Sequence, residues 1–127
     1  MPQGLDNLRI VIVDDHDQVR STLTRFLSSL GSVVRACANA DEALALVPRF
    51  QPDLVLSDIA MPGKDGFELL REIRSFDPKV PVIAITGLSR PWDQVRAPAA
   101  GFDAVLLKPF TPDVLLKVVS EIIEQRT

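Results

Sequence analysis

The chain has 127 residues, of which 46% are hydrophobic, and a formal net charge of −3. We therefore expect one domain over residues 1–127, with its core at about residues 8–124. A slightly acidic chain lacks the basic face that direct nucleic-acid binding needs. One cysteine excludes an internal disulfide framework and favours a reducing compartment, and no run approaches the roughly 18 apolar residues of a membrane span. Together with an N-terminus that lacks a secretory signal, this predicts a cytoplasmic protein with no membrane insertion.

Short apolar runs alternate with amphipathic segments along the whole chain. The patterns predict strands at 9–13, 33–37, 54–57, 82–85 and 105–107, and helices at 17–30, 41–50, 67–76, 92–100 and from 112 onward. Gly31 stands where a glycine ends a helix, and Thr111 is predicted to cap the last helix. Alternating strands and helices indicate right-handed crossovers and a parallel sheet covered on both faces. Periodicity alone does not give the strand order.

Polar side chains stand at the ends of four predicted strands. The first strand ends at Asp14 and Asp15, the third at Asp58, the fourth at Thr86 and the fifth at Lys108. Carboxyl ends of parallel strands meet at one edge of a sheet, where ligands of such folds bind. The alternative interpretation is that the acids cap turns or the first helix and that the lysine is solvated.

Three carboxylates at one edge repel one another, by about 4 kcal/mol for a pair of charges about 4 Å apart near a surface. A hard divalent cation relieves this repulsion, and Mg²⁺ prefers oxygen ligands such as those of Asp15 and Asp58, with Mn²⁺ as a possible substitute. The same repulsion predicts that Asp14→Ala stabilises the metal-free protein. A carboxylate can also attack phosphorus, with Lys108 and the cation neutralising charge and Thr86 donating its hydroxyl.

The set of motifs resembles the receiver domain of two-component response regulators, in particular the chemotaxis-regulator type. The resemblance runs from about residue 8 to 124 and depends on the acid pair, on Asp58 within DIAMPGKDG, on Thr86-Gly87 and on Lys108-Pro109-Phe110. It implies a flavodoxin-like (βα)5 three-layer sandwich with a five-stranded parallel sheet of order 2-1-3-4-5. It also implies a cis Lys108–Pro109 bond.

The resemblance further implies a phosphoacceptor in a phosphorelay. A phosphohistidine on a sensor histidine kinase or phosphotransfer protein would be the donor, and Asp58 the acceptor. Asp15, Asp58 and the backbone carbonyl of Ala60 would hold Mg²⁺, with Asp14 acting through water. Lys108 would be the counter-ion of the phosphate and Thr86 the switch hydroxyl that alters contacts with a downstream protein. Such a domain catalyses its own phosphorylation and dephosphorylation and is not a turnover enzyme.

Other classes remain as alternatives. A Mg²⁺-dependent phosphatase with an aspartate nucleophile typically carries a second acid two residues later, where this chain has Ala60. A nucleotide or flavin module would need a glycine-rich loop after the first strand, where Asp14-Asp15-His16 stands. A pseudo-receiver that is not regulated by phosphorylation stays open because Val105 replaces the aromatic residue usual in the family three positions before the lysine.

Several residues have structural interpretations. His16 adjoins the acids, and we predict an exposed loop residue rather than a base or ligand. Cys37 is predicted to be a small core residue, and Asp65-Gly66 to start the third helix rather than to add a ligand. Pro98 falls inside the fourth helix, which predicts a short, bent or mobile element. Our hypothesis is that this helix and the loop at 88–92 carry the switch, with Trp92 as a partner anchor.

Overall fold

A computed structural model describes residues 5–87 and 91–125, and for residues 91–94 it describes the backbone only. The loop at 88–90 and the Trp92 side chain therefore lie outside the described residues. Within them, strands and helices alternate as predicted. The strands are β1 (Arg9–Val13), β2 (Val33–Cys37), β3 (Leu54–Asp58), β4 (Val82–Gly87) and β5 (Ala104–Lys108). The helices are α1 (Asp17–Ser29), α2 (Ala40–Phe50), α3 (Gly66–Phe76), α4 (Pro91–Ala100) and α5 (Pro112–Gln125).

The strands form one parallel sheet in the order β2-β1-β3-β4-β5. This confirms the flavodoxin-like α/β fold and the order 2-1-3-4-5. β4 runs two residues beyond its apolar run, because Thr86 and Gly87 still pair with Leu107 and Lys108 of β5. The polar residue at the end of the fourth strand thus belongs to the hydrogen-bonded ladder.

Side chains that alternate along each strand divide the core into two layers. Val11 and Val13 of β1 face a cluster formed with α2, α3 and α4, whereas Ile10 and Ile12 face a cluster formed with α1 and α5. The inward-facing side chains of the helices lie in these clusters. The fully or largely buried ones are Leu23, Leu27, Ala43, Val47, Phe67, Leu70, Ile73, Leu115, Val119 and Ile122.

Local signals fix the helix ends. Asp65 caps α3 in a capping box with Glu68, whose side chain accepts from the backbone N–H of Asp65. The Thr111 hydroxyl accepts from the backbone N–H of Val114, 3.3 Å away, at the start of α5. Gly31 follows α1 with φ of 96°, a conformation that favours glycine. These ends agree with the predictions from sequence.

α4 is the shortest helix of the described chain, with ten residues. Pro98 lies within it, and among its residues 95–100 only Ala97 is buried. Val95 on the same helix is 69% exposed. Pro98 does not end the helix, which covers the whole predicted range 92–100 and begins one residue earlier. No helix in residues 5–87 or 91–125 has the length and apolar character needed to cross a membrane.

Candidate functional site

Three strand ends bring two buried carboxylates and one lysine together. The Nζ of Lys108, at the end of β5, lies 3.1 Å from Asp14 Oδ2 and 3.6 Å from Asp58 Oδ2. Asp14 directly follows β1, and Asp58 is the last residue of β3. Residues far apart in sequence therefore meet at the carboxyl edge of the sheet, as predicted.

The period of two along each strand explains why these three side chains share one side of the sheet. Ile12, Leu56 and Leu106 all lie in the cluster beneath α1 and α5. The residues two positions later are Asp14, Asp58 and Lys108, so alternation places them on that same side. The ion pairs agree with this placement. Thr86 follows Ala84 of the other cluster by two residues, and alternation places it toward α4.

Burial makes the acids costly. Asp14 is fully buried, Asp58 is 3% exposed and Thr86 is 2% exposed. Burial, followed by repulsion from Asp14, raises the pKa of Asp58 from 3.8 to about 6, although Lys108 and the N–H of Ala60 oppose the shift. The carboxylates thus carry a repulsion that one lysine does not cancel.

Asp15 and His16 complete the acidic corner. His16 Nδ1 lies 3.0 Å from Asp14 Oδ1 and 3.3 Å from Asp15 Oδ1, although its side chain is 62% exposed. The Asp15 Oδ1 atom is buried and has no hydrogen-bond partner within the described part of the chain. One ligand atom from each of Asp14, Asp15, His16 and Asp58 lies within 4.8 Å of the others. A buried carboxylate oxygen that accepts no hydrogen bond, close to other carboxylates, fits a divalent cation such as Mg²⁺.

The loop after β3 is held close to Asp58. The backbone N–H of Ala60 points to Asp58 Oδ1 at 3.3 Å, and the N–H of Gly66 donates to the carbonyl of Ile59 at 2.9 Å. A Cβ at Gly66 would stand 2.5 Å from the Asp58 carbonyl oxygen, so only glycine permits this approach. The Asp65-Gly66 pair therefore starts α3 and packs the loop, and Asp65 is not among the clustered ligands.

Lys64 fixes the same loop from outside. Its Nζ lies 3.1 Å from Asp41 of α2 and 3.1 Å from Glu72 of α3. Hydrogen bonds to these two acids raise the pKa of Lys64. The loop that carries Ala60 is thus tied to two helices.

Thr86 of β4 and Val105 of β5 lie on the α4 side of the sheet, opposite to Asp58 and Lys108. Thr86 Oγ1 lies 3.5 Å from the carbonyl oxygen of Gly87. Val105, which pairs with Ala84 in the ladder, is half-buried against the cluster beneath α4. The short branched side chain of Val105 occupies the position where an aromatic residue was expected.

Sequence reasoning missed the contacts that Arg20 and His16 make with the acids. Arg20 of α1 donates to the backbone carbonyl of Asp14 at 2.7 Å and also pairs with Asp17. The backbone N–H of His16 donates to Asp14 Oδ1 at 2.8 Å. The predicted exposure of His16 is confirmed, but its contact with both acids was not expected. Cys37 is a buried free cysteine as predicted, and burial raises the pKa of its thiol to about 11.

Comparison with known protein families agrees with this fold. Residues 10–120 match the response regulator receiver domain family. The chain belongs to this family.

Individual relatives and structures agree. The chain is 39% identical over 122 residues to an uncharacterised 14.6 kDa protein of Leptolyngbya boryana, covering 94% of this chain and 92% of that protein. It is 39% identical over 109 residues to the Regulator of RpoS of Escherichia coli K12, covering 86% of this chain and 32% of that longer protein. A receiver domain protein of Clostridium thermocellum superposes with a TM-score of 0.88 at 26% identity, covering 94% and 96% of the chains. The chemotaxis protein CheY4 of Vibrio cholerae superposes with a TM-score of 0.83 at 30% identity, covering 90% and 97%.

Proposed function

We propose that this receiver domain is a phosphoacceptor in a two-component phosphorelay. Asp58 accepts a phosphoryl group from a phosphohistidine of a sensor histidine kinase or phosphotransfer protein, and the modified domain changes its contacts with a downstream protein. The observation that carries the proposal is the placement of Lys108 Nζ between two buried carboxylates, at 3.1 and 3.6 Å. A lysine in this position can pair with the negatively charged oxygens of a phosphoryl group on Asp58.

The chemical step uses few parts of the protein. A carboxylate oxygen of Asp58 forms a bond to phosphorus, and the P–N bond to the donor's imidazole breaks, with the leaving nitrogen protonated. Phosphoryl transfer depends on positioning and charge neutralisation. Lys108 is close enough to Asp58 to pair with a phosphoryl oxygen, and the Thr86 hydroxyl stands at the end of the neighbouring strand.

The proposal includes a Mg²⁺ ion bound at the acidic corner of the site. Asp15, Asp58 and the backbone carbonyl of Ala60 would hold Mg²⁺, or Mn²⁺ in its place, and Asp14 would act through water. When bound, the ion neutralises the acids and the phosphoryl oxygens. The buried Asp15 oxygen that accepts no hydrogen bond and the raised pKa of Asp58 support a cation at this position.

The proposal includes the setting of the domain. We propose that the receiver unit spans residues 1–127 with its core at about 8–124 and acts in the cytoplasm through protein contacts. It modifies itself and is not a turnover enzyme. The complete set of acids and Lys108 argue against the alternative, a pseudo-receiver without phosphorylation. Val105 keeps that alternative open, because a valine cannot make the ring movement that the family uses as a switch.

Intact mass separates the two functions. The chain is incubated with Mg²⁺ and a small phosphodonor, and the expected product carries one phosphoryl group. Asp58→Asn is expected to remain unmodified under the same conditions. An unmodified wild-type chain, or equal modification of both chains, would favour the pseudo-receiver.

A further inference from the structure

We infer that His16 is an additional metal ligand that makes this site a mixed nitrogen and oxygen site, selective for borderline divalent ions such as Ni²⁺ and Zn²⁺ over Mg²⁺. The inference rests on the proposed cation site and adds a ligand to it. His16 is the single histidine of the chain, so any ligating imidazole is its own.

The spacing of three atoms supports this assignment. Two cis ligands about 2.1 Å from an octahedral ion stand about 3.0 Å apart. His16 Nδ1 lies 3.0 Å from Asp14 Oδ1 and 3.3 Å from Asp15 Oδ1. The first contact is a hydrogen bond in the metal-free chain, and the second is close to the separation of neighbouring ligands of one small ion. Asp58 also contributes a ligand atom within 4.8 Å of the others.

The hydrogen bonding of this corner leaves room for an ion. A carboxylate oxygen only accepts, so Nδ1 carries the proton in its contact with Asp14. The neighbouring Asp15 Oδ1 is buried and has no hydrogen-bond partner within residues 5–87 and 91–125. A metal ion can replace the Nδ1 proton and lie between Nδ1 and Asp15 Oδ1, with release of that proton to solvent, while Asp14 acts through water. It would then satisfy the Asp15 oxygen as well.

Ligand chemistry gives the direction of selectivity. Mg²⁺ takes oxygen ligands and keeps several waters, so it gains little from an imidazole. Imidazole suits Ni²⁺ and Zn²⁺, which also bind nitrogen and oxygen sites more tightly than Mn²⁺ does. Backbone geometry places His16 beside the acids, because it is the N-cap of α1 and its backbone N–H donates to Asp14.

Pulsed electron paramagnetic resonance on the untagged full chain tests the ligand directly. With bound Mn²⁺, the spin echo is expected to show coupling to a nitrogen of the imidazole. This coupling should disappear in His16→Ala, and Glu121→Ala on the exposed side of α5 should retain it. Mn²⁺ bound without nitrogen coupling in the wild type would overturn the inference.

Calorimetric titration with Ni²⁺ and Mg²⁺ tests the selectivity. His16→Ala should weaken Ni²⁺ binding at least about tenfold. Removing a residue that only hydrogen-bonds to a metal ligand already costs about tenfold in metal affinity, and a direct ligand should cost at least as much. Mg²⁺ affinity should change less than about threefold, since the oxygen ligands remain. Equal Ni²⁺ affinity in the two chains would refute the role of His16. If Mg²⁺ still binds in that case, the proposed function stands; if neither Mg²⁺ nor Mn²⁺ binds, both proposals fail.

Discussion

Aspartates at the two ends of the sheet have opposite energetic roles. At the amino end, Asp53 accepts from the N–H of Arg9, and Asp103 accepts from the N–H of Val82 and pairs with Arg74. Asp53 and Asp103 are exposed.

At the carboxyl end, Asp14 and Asp58 are buried, and both lie close to Lys108. Its Nζ is 3.1 Å from Asp14 Oδ2 and 3.6 Å from Asp58 Oδ2. Acids at the amino end therefore stabilise the fold. At the carboxyl end, the charged form of Asp58 costs stability, because burial and the neighbouring Asp14 raise its pKa.

Removing the shared lysine should give the largest effect. In Lys108→Ala, the fully buried Asp14 keeps its contacts with His16 but loses its lysine, and removing one partner of a buried ion pair costs about 3 kcal/mol. Urea unfolding in chelator measures this loss. Lys117→Ala on exposed α5 is the control and should stay near wild type. Similar losses in both variants would mean that the carboxyl end does not depend on its lysine.

Acidity provides the second test. Because folding raises the pKa of Asp58 from 3.8 to about 6, the folded state holds this proton more tightly than the unfolded chain. Stability without metal should therefore fall as pH rises from about 4 through 6, by on the order of 2 kcal/mol. Urea midpoints across this pH range, measured in chelator, give the effect.

Asp58→Asn is the matched variant for this pH series. It should lack the fall and exceed wild type in stability at neutral pH without metal. We assign this gain in stability to Asp58 rather than to Asp14. Asp14→Ala would remove the acceptor of hydrogen bonds from Lys108 and from the His16 N–H. Parallel pH curves for the two chains would contradict the assignment.

The amino end should respond in the opposite direction. Asp103→Ala removes the acceptor of the Val82 N–H and the partner of Arg74, which should cost about 1–2 kcal/mol. Thermal and urea unfolding measure the loss. Glu121→Ala, an exposed acid on α5, should leave stability unchanged. A gain in stability for Asp103→Ala would remove the contrast between the ends.

The smallest effect concerns an uncharged group at the carboxyl edge. Cys37 ends β2 beside Val13, and burial raises the pKa of its thiol from 9.0 to about 11. At pH 8 the folded thiolate should be about 100-fold rarer than in the unfolded chain, since each pKa unit is tenfold. Alkylation followed by mass spectrometry should therefore be slow until urea is added. Equal rates in both states would show that this edge is open.

Much of the fold follows from local signals that a sequence displays. Apolar runs locate the strands, and caps such as Thr111 and Asp65 locate helix starts. The end of β4 was set too early, because Thr86 and Gly87 pair through backbone atoms and show no apolar pattern. The strand order came from family resemblance, since it depends on packing between distant segments.

The candidate site divides in the same way. Strand ends predicted that Asp14, Asp58 and Lys108 meet, because alternation and parallel pairing are regular. The contacts of His16 depend on the backbone turn that opens α1, with φ of −95° and ψ of 119°, which no spacing rule specifies. The tight approach of Gly66 to the Asp58 carbonyl likewise depends on three-dimensional packing.

The ion pair of Asp14 and Lys108 spans 94 positions of the chain, from the first strand to the last. A nascent copy that has not yet received β5, or one cut between these strands and separated, has the acids but no cation to oppose them. If Lys108 is needed for phosphoryl transfer to Asp58, such an incomplete copy is not phosphorylated and gives no signal. Chain integrity then becomes a condition of signalling.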